Sequence, residues 1–399
     1  MLVIDQPYLE EKEGKTKLIS DIDVDGVIKQ IYFEVENEYA KYLCYERGDA
    51  FLIGLLNWAM RHGHDIKSVA PITEELLYNI NKFLIPSLTK YDKALTPIKI
   101  VADMESEPIK NAGGVGTGIS CGIDSLYAIH NNYKSEYKGM SLTHLCINSV
   151  GSFHNGYKEY GVDKARNEIY ERAQRLADEI GLPLIKSMSN IKEEFEIYFE
   201  HGHTYYSMFA VYCMQKLWKI YYYGSSGRDF SAFSLKDNSK NSTALYELLS
   251  LPCFSTHNLH LYSDGGAVTR MDKTLAIADD KLTQKYLHVC CTKGENCNVC
   301  LKCRRTLLTL DLLGKLENFK DVFDIEYYKN HKKEYLLWLY ESYLTGDKMY
   351  DDLYEQYKKQ LRPAVIQHYM HKVFSIRKTE NKTVIKFLAL KLSIKNKNY

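Results

Sequence analysis

The first 110 residues combine two periods of apolar positions, one typical of strands and one typical of helices. The stretch DGVIKQIYFEVE alternates between apolar and polar residues, which predicts a strand. GDAFLIGLLNWAMRHG carries apolar residues at helical spacing up to Gly63, and TEELLYNINKFLIPSLTKY predicts a second helix that Thr73 opens. No constellation of catalytic residues accompanies these patterns. We therefore expect residues 1–110 to form an N-terminal α+β accessory block.

The pattern changes at residue 111 to alternating strands and helices. The apolar runs LTHLCINSV, LPLIKSMS and IYYYGSS predict buried strands, whereas DKARNEIYERAQRLADEIG and YYSMFAVYCMQKLWK predict helices. This order is typical of a parallel sheet with crossover helices, so residues 111–310 predict an α/β domain. Residues 311–399 have helical spacing in KKEYLLWLYESYL, MYDDLYEQYKKQL and AVIQHYMHKVFSI, which predicts a helical C-terminal region.

Composition and charge exclude several classes of protein. At 399 residues the chain is long enough for two or three domains. Its 52 basic and 51 acidic residues leave a net charge of +1, which provides no field for nucleic acid or membranes. No uncharged apolar run approaches the ~18 residues of a spanning helix, and the N-terminal residues lack the apolar core of a signal peptide. We expect a cytoplasmic protein that binds neither membranes nor nucleic acid.

Five of the ten cysteines fall within residues 290–303, in HVCCTKGENCNVCLKCRR. Cys297, Cys300 and Cys303 follow one another at a constant spacing, and Cys291 precedes them. Four thiolates in this pattern suit tetrahedral Zn²⁺ in a closed, structural site, with Cys290 as a possible substitute for Cys291. A three-cysteine iron–sulfur arrangement and unliganded thiols are the alternatives.

The segment GVGTGISCGIDSLYAI predicts a strand, a glycine loop and a helix in succession. This order places backbone N–H groups of the loop at the N-terminus of a helix, where the positive end of the helix dipole favours an anion. The hydroxyls of Ser120 and Ser125 could donate to phosphate, and Asp124 could hold Mg²⁺. The alternative is a plain glycine turn in which Asp124 caps the helix. We prefer the phosphate-binding interpretation.

Cys121 stands in this loop where glycine would be easiest to accommodate. One interpretation is that the position needs only a small side chain that points away from phosphate. The other is a thiolate whose pKa is lowered by the helix N-terminus and which carries sulfur or a covalent intermediate. We favour the first, because a thiolate pressed against ATP phosphates would be repelled by them.

The loop sequence SCGIDS resembles the S-G-G-x-D-S loop of the N-type PP-loop ATP pyrophosphatases. The cysteine segment that follows is similar to that of 7-cyano-7-deazaguanine synthase, a member of this superfamily that activates a carboxylate with ATP and uses ammonia to form an amide and then a nitrile. The resemblance implies a HUP-like α/β core and a structural zinc on Cys291, Cys297, Cys300 and Cys303. It also implies that ATP and Mg²⁺ are bound by the loop, namely Ser120, Cys121, Gly122, Ile123, Asp124 and Ser125.

Further residues are assigned by position. Lys273 resembles the basic residue that neutralises departing pyrophosphate in PP-loop enzymes, and Arg270 lies beside it. Arg228 and Asp229 follow the end of a predicted strand, where ligands bind in open α/β sheets, so we expect them on the substrate side. The resemblance covers about 200 residues. Relatives of the synthase with additional domains occur in anti-phage defence operons, where the acceptor could be a protein and another protein of the operon could be a partner. A homodimer is a further alternative.

These observations predict an enzyme that adenylates a carboxylate or carbonyl oxygen, releases pyrophosphate and lets a nitrogen nucleophile displace AMP. Positioning and charge neutralisation would be the protein's share of the catalysis. One alternative is an adenylating sulfur transferase in which Cys121 or Cys253 relays sulfur. Another is a non-catalytic, nucleotide-binding zinc adaptor.

Overall fold

A computed structural model describes the chain apart from residues 154–156, 197, 227–228, 238–241, 347, 362–373, 380–381, 388–389 and 396–399. The chain divides into two compact units, Met1–Asn296 and Cys297–Tyr399. None of the helices within the described ranges combines the length and the apolar character that crossing a membrane requires.

The described strands of the first unit are β1 (Leu2–Ile4), β2 (Tyr8–Lys12), β3 (Lys15–Val24), β4 (Val27–Glu36), β5 (Ile66–Ser68), β6 (Ile72–Thr73), β7 (Ile100–Val101), β8 (Met104–Glu105), β9 (Gly114–Gly118), β10 (His144–Ser149), β11 (Leu184–Ser189), β12 (Trp218–Gly224) and β13 (His260–Asp264). Its described helices are α1 (Asp49–His62), α2 (Glu74–Asn79), α3 (Ile85–Tyr91), α4 (Ile123–Asn132), α5 (Val162–Ile180), α6 (Ile191–Glu194), α7 (Phe199–Cys213), α8 (Glu247–Phe254), α9 (Arg270–Ile277) and α10 (Lys281–Tyr286).

One mostly parallel sheet organises this unit. Its five parallel strands lie in the order β13-β12-β9-β10-β11, and β4 pairs with β11 in the antiparallel sense. The sheet continues through β3, β1, β5 and β7, with β2 beside β3, while β6 and β8 form a separate pair. The predicted α/β class is therefore confirmed, and the assignment of the core to the PP-loop fold stays a prediction.

The sheet joins regions that the sequence treats as separate. Residues 1–110 do combine strands and helices, as expected for a mixed block, but their strands other than β6 and β8 extend the same sheet that residues 111–296 begin. The predicted division into 1–110, 111–310 and 311–399 stays a prediction, whereas the compact units divide after Asn296. The common core includes Phe33 on β4 and Phe51 on α1, both in edge-to-face contact with Phe209 on α7.

Close packing against a glycine explains a shifted helix boundary. The predicted helix 205–219 runs instead from Phe199 to Cys213. Trp218 begins β12, and its ring packs so tightly on Gly116 of β9 that a Cβ there would lie 2.6 Å from the indole. Burial of a large aromatic side chain therefore outweighs the helical period in this stretch.

The second unit contains helices and an antiparallel sheet. Its helices are α11 (Leu301–Leu312), α12 (Ile325–Leu344) and α13 (351–361). The strands β14 (Phe374–Thr379), β15 (Lys382–Phe387) and β16 (Leu390–Lys395) pair in order. The prediction of a helical region over 311–399 is therefore wrong for the strands of the last 30 residues. Leucine and isoleucine alternate with lysine and serine along LKLSIK, a period of two that favours strands.

Candidate functional site

The SCGIDS loop lies at the point where the connections of the parallel sheet reverse direction. From β9 the chain proceeds through β10 and β11 on one side, and later places β12 and β13 on the other. Ligands of open α/β sheets bind outside the carboxyl ends of the strands at such a switch point. The loop joins the carboxyl end of β9 to α4, so it occupies that position.

Hydroxyl groups shape the loop without capping the helix that follows. The Ser125 Oγ donates to the carbonyl of Gly122 at 3.1 Å and accepts from the N–H of Ser120 at 3.3 Å. Gly122, the residue before α4, supplies no side-chain cap. The first turn of α4 therefore directs backbone N–H groups and the positive end of its dipole towards the crevice, a setting that favours an anion.

Two cations from α9 converge on the aspartate of the loop. Arg270 Nη2 lies 2.6 Å from Asp124 Oδ2, and Lys273 Nζ lies 3.5 Å from Asp124 Oδ1. Lys273 is buried and also donates to the carbonyl of Ser225 at 2.7 Å. The structure thus brings together the three residues predicted as catalytic. Both cations lie close to the N-terminus of α4, where an anion would interact favourably with them and with the helix dipole.

The approach of Lys273 depends on a glycine. Gly265, directly after β13, has φ +79°, and a Cβ there would lie 2.6 Å from Lys273 Cε. The α9 helix that carries Lys273 begins with a capping box in which Thr269 and Asp272 satisfy each other's backbone N–H groups. Sequence features on both sides of the turn therefore fix the position of the cations.

Cys121 is a packed side chain. It is fully buried, with φ 58°, and its carbonyl accepts a 2.8 Å hydrogen bond from the N–H of His288. Burial raises the pKa of the Cys121 thiol to about 12, an effect that the guanidinium groups of Arg172 and Arg175 oppose only in part. The thiol is therefore protonated at neutral pH and is not a nucleophile.

Two carboxyl groups near the loop escaped sequence analysis. Glu247 begins α8 and is fully buried, and Ser263 Oγ donates to its Oε1 at 3.0 Å. Burial raises the pKa of Glu247 to about 7. Asp264, at the end of β13, accepts from Asn131 and Asn132 of α4, and burial raises its pKa to about 6. The only signal for Asp264 was a polar residue after a strand, and Glu247 lies in an apolar helix without a distinctive pattern.

The predicted substrate pair is described only in part. Asp229 follows β12 and accepts hydrogen bonds from the backbone N–H groups of Ser231 and Ala232, at 2.8 and 3.3 Å. The bond from the Ser231 hydroxyl is the largest cause of a lowered pKa at Asp229. Asp229 thus stabilises its own turn. Arg228 lies outside the described residues.

Four cysteines of segment 290–303 form a cluster that could bind a metal such as zinc. One sulfur from each of Cys290, Cys297, Cys300 and Cys303 lies within 4.8 Å of the others. The sulfurs of Cys297 and Cys303 are 4.0 Å apart, close to the ~3.8 Å between sulfurs that tetrahedral Zn–S bonds of about 2.3 Å imply. The donor set and spacing therefore fit Zn²⁺.

Cys290 occupies the position that the spacing assigned first to Cys291. Cys290 is buried, whereas Cys291 is partly exposed. Side chains of adjacent residues outside a helix point in different directions, so only one of the two can face the other three sulfurs. The Tyr157 hydroxyl donates to the Cys290 carbonyl at 2.8 Å and so holds this part of the segment.

Local backbone bonds shape the turn between the later cysteines. The N–H of Cys300 donates to Cys297 Sγ at 3.3 Å, a contact that favours a thiolate. Asn298 between them has φ 63°, a conformation that asparagine tolerates better than most residues. Its carbonyl accepts from the Tyr335 hydroxyl at 2.7 Å, which anchors the turn to α12.

Comparison of this chain with protein-family models, with curated proteins and with solved structures found no match. The functional interpretation therefore rests on the residues of the loop, the cations of α9 and the cysteine cluster.

Proposed function

We propose that this protein is an ATP-dependent adenylating enzyme that forms AMP and pyrophosphate. The observation that carries the proposal is the convergence of Arg270 and Lys273 on Asp124, in a glycine loop at the switch point of the sheet. This arrangement combines helix N–H groups, hydroxyls, a carboxylate and two cations, the groups that a magnesium-bound polyphosphate requires.

Each group has a role in that chemistry. The N–H groups of the first turn of α4 and the hydroxyls of Ser120 and Ser125 would bind phosphate oxygens. Asp124 would hold Mg²⁺, which supplies neutralising charge on the phosphates. Arg270 and Lys273, which lie beside Asp124, would stabilise the negative charge that develops on the leaving pyrophosphate.

The substrate would supply an oxygen nucleophile. A carboxylate or carbonyl oxygen attacks the α-phosphorus of ATP, and the bond to the β-phosphate oxygen breaks as pyrophosphate leaves. A nitrogen nucleophile then attacks the activated carbon and AMP departs. By resemblance to 7-cyano-7-deazaguanine synthase, 7-carboxy-7-deazaguanine and ammonia are the first pair to test, and a protein carboxylate is the second.

Zinc in the cysteine cluster would have a structural role. A site closed by four thiolates has no open position for a substrate. The residues that lead into this segment contact the loop, because the N–H of His288, two residues before Cys290, donates to the carbonyl of Cys121. We infer that the metal holds the segment that supports the phosphate-binding loop.

The thiols do not favour a sulfur transferase. Burial raises the pKa of Cys121 to about 12 and that of Cys253 to about 11, so both are protonated at neutral pH. A thiol relay would need a thiolate. A non-catalytic adaptor would bind ATP through the same groups but would form no AMP or pyrophosphate. A measurement of product formation therefore distinguishes it from the enzyme.

The test is product analysis after incubation with ATP, Mg²⁺, ammonium chloride and 7-carboxy-7-deazaguanine or a carboxylate-bearing protein. We expect AMP and pyrophosphate in equal amounts from the wild type and none from Asp124→Ala. Asp103→Ala, which changes an exposed aspartate, is the matched control and should retain activity. ATP binding without turnover for every acceptor would favour the adaptor, and ADP with phosphate would contradict the proposed chemistry.

A further inference from the structure

The antiparallel sheet of the second unit has two faces of different chemistry. Residues that pair directly across neighbouring strands share a face, and successive residues along a strand alternate between the faces. The strands β14, β15 and β16 have six residues each, so their register assigns nine positions to each face. Seven of the nine positions on one face are apolar, namely Phe374, Ile376, Ile385, Phe387, Leu390, Leu392 and Ile394. Antiparallel sheets commonly pack through such a face and leave the other one to solvent.

The other face is basic. It has Arg377, Lys382, Lys386, Lys391 and Lys395 at five of its nine positions, and we call these five residues the basic face. Three of its remaining positions are serine or threonine, and the three strands together contain no acidic residue. The net charge of +1, from which we expected no binding to nucleic acid, is an average over the whole chain. It therefore does not show this local concentration of positive charge.

The register places lysines directly opposite one another. Lys386 of β15 pairs with Lys391 of β16, and Lys382 pairs with Lys395. The Cβ atoms of directly opposite residues lie about 4.5–5.5 Å apart, and like charges at this spacing destabilise a sheet. An anion shared by the two lysines of a pair would replace this repulsion by two charge-assisted hydrogen bonds. The arrangement therefore indicates a partner with several negative charges.

The spacing of the lysine pairs fits the two backbones of a nucleic-acid duplex. The pairs lie four residues apart along β15, which corresponds to ~13 Å at about 3.3 Å per residue. The major groove of B-form DNA is about 12 Å wide, so each pair could contact the phosphates of one strand. Arg377 is paired with Val384, midway between Lys382 and Lys386, and a guanidinium can bind a phosphate through two hydrogen bonds.

The composition of this face favours a duplex over other polyanions. None of its nine positions is aromatic, so it offers nothing on which the bases of a single strand could stack. Its one apolar position is Val384, whereas segments that bind membrane surfaces combine their cations with several apolar residues. The carboxylates of an acidic protein lack the regular spacing that the backbones of a duplex provide.

We propose that the basic face binds the phosphate backbone of double-stranded DNA without reading its sequence. The inference does not depend on the adenylation proposed above. Binding releases counterions that are condensed on the DNA, so the affinity falls as the salt concentration rises. With contacts from all five cations, the logarithm of the association constant should fall against that of the salt concentration with a slope of about −4.5, at about −0.9 per phosphate.

Fluorescence anisotropy of a labelled DNA duplex, titrated with the protein at several salt concentrations, tests the proposal. Lys386→Gln/Lys391→Gln removes one lysine pair, and Lys378→Gln, at a position on the apolar face, is the matched control. We expect the pair variant to bind at least tenfold more weakly and with a slope smaller by about 2, and the control to match the wild type. Absence of binding by the wild type, or an equal effect of both variants, would overturn the proposal. Lys382→Gln/Lys395→Gln removes the other pair and should have the same effect, should the first variant fail to fold.

Titrations with other ligands at one salt concentration identify the kind of partner. We expect duplexes of two unrelated sequences to bind equally. A single strand of the same length, polyglutamate, and vesicles of phosphatidylcholine with phosphatidylserine should each bind at least tenfold more weakly. Binding of polyglutamate, the single strand or the vesicles as tight as that of the duplex would overturn the proposal, as would a preference above tenfold for one duplex sequence. Neither experiment uses ATP, so failure of the proposed adenylation would leave the result for the basic face unchanged.

Discussion

Two loops of this protein carry cysteine, and the side chain serves a different purpose in each. In the SCGIDS loop Cys121 is alone, fully buried and protonated, because burial raises its pKa to about 12. In segment 290–303 four sulfurs lie within 4.8 Å of one another. The surroundings of each cysteine therefore decide whether it packs in the core or could ligate a metal.

The two loops also differ in openness. At the switch point of the sheet, Asp124 beside the loop that follows β9 and Arg270 from α9 are both partly exposed. The four-sulfur cluster offers a metal a complete set of ligands. An open polar site suits a substrate that enters and leaves, whereas a closed thiolate site suits a permanent structural metal. The hydrogen bond from the N–H of His288, two residues before Cys290, to the carbonyl of Cys121 links the first loop to the residues that lead into the cysteine segment.

Removal of the metal should have the largest effect. We expect Cys303→Ser to lower bound zinc from about one ion per chain to near zero and to reduce thermal stability strongly, since a structural zinc contributes on the order of 10 kcal/mol in small zinc domains. Metal analysis and thermal unfolding provide the measurement. Cys121→Ser is the matched control and should keep its zinc. Full zinc content in Cys303→Ser would remove Cys303 from the ligand set.

Loss of a loop cation should be the next largest effect. Arg270→Ala removes the guanidinium that lies 2.6 Å from Asp124. We expect pyrophosphate formation to fall about 10²–10³-fold, the usual cost of a lost donor to a developing charge. Initial rates of pyrophosphate release measure it, with the exposed Lys281→Ala as control. Equal rates for both variants would mean that α9 contributes structure but no catalysis.

The pH dependence of stability should reveal Glu247. Burial raises its pKa from 4.5 to about 7, so the folded protein holds the proton more tightly than the unfolded chain does. The free energy of unfolding therefore falls as the pH rises from about 4.5 to about 7. At about 1.4 kcal/mol per pKa unit the loss is about 3 kcal/mol. Asp264 acts in the same direction up to about pH 6.

Glu247→Gln should remove this part of the pH dependence. We expect the variant to be about 3 kcal/mol more stable than the wild type at pH 8 and no more stable at pH 4.5. Urea unfolding at several pH values provides the free energies. Glu136→Gln, which changes an exposed glutamate, is the control and should follow the wild type. If the stability of Glu247→Gln falls over the same pH range as that of the wild type, Glu247 is not the cause of the pH dependence.

Substitution of Cys121 should have the smallest effect. Cys121→Ser keeps the size of the side chain and buries a hydroxyl instead of a thiol, so we expect a loss of about 1 kcal/mol in stability and activity within about twofold. Cys121→Gly relieves the positive φ but leaves a small cavity, and the two effects should nearly cancel. Urea unfolding and steady-state rates measure both. Loss of activity in a folded Cys121→Ser variant would show that the thiol takes part in the reaction.

Local patterns predicted most of the first unit. Gly63 and Gly181 were expected to end helices, and both adopt the left-handed conformation of a helix C-terminus. Resemblance to PP-loop enzymes suggested Lys273, with Arg270 beside it, as the residue that neutralises departing pyrophosphate, and that role stays a prediction. The contact of both side chains with Asp124, about 150 positions away in the chain, appears only in the structure.

The remaining features depend on the folded arrangement. Spacing alone could not distinguish Cys290 from Cys291, since adjacent residues fit the same motif. Glu247 begins ELLSLPCF, and the apolar pattern of this helix does not predict that its first residue is a buried carboxylate. Trp218 continues an apolar helical run, and only its contact with Gly116 places it in a strand. These features arise from contacts between distant segments, which a local period does not contain.

Equilibrium binding of ATP tests the central claim most directly. Calorimetric titration of the wild type with ATP, in the presence and absence of Mg²⁺, should give one site per chain whose affinity increases with the metal. Asp124→Asn should lose that dependence on Mg²⁺, and Arg270→Ala should bind at least tenfold more weakly. Absence of binding to the folded wild type, or equal affinity in all three proteins, would contradict the assignment of the loop as a nucleotide site.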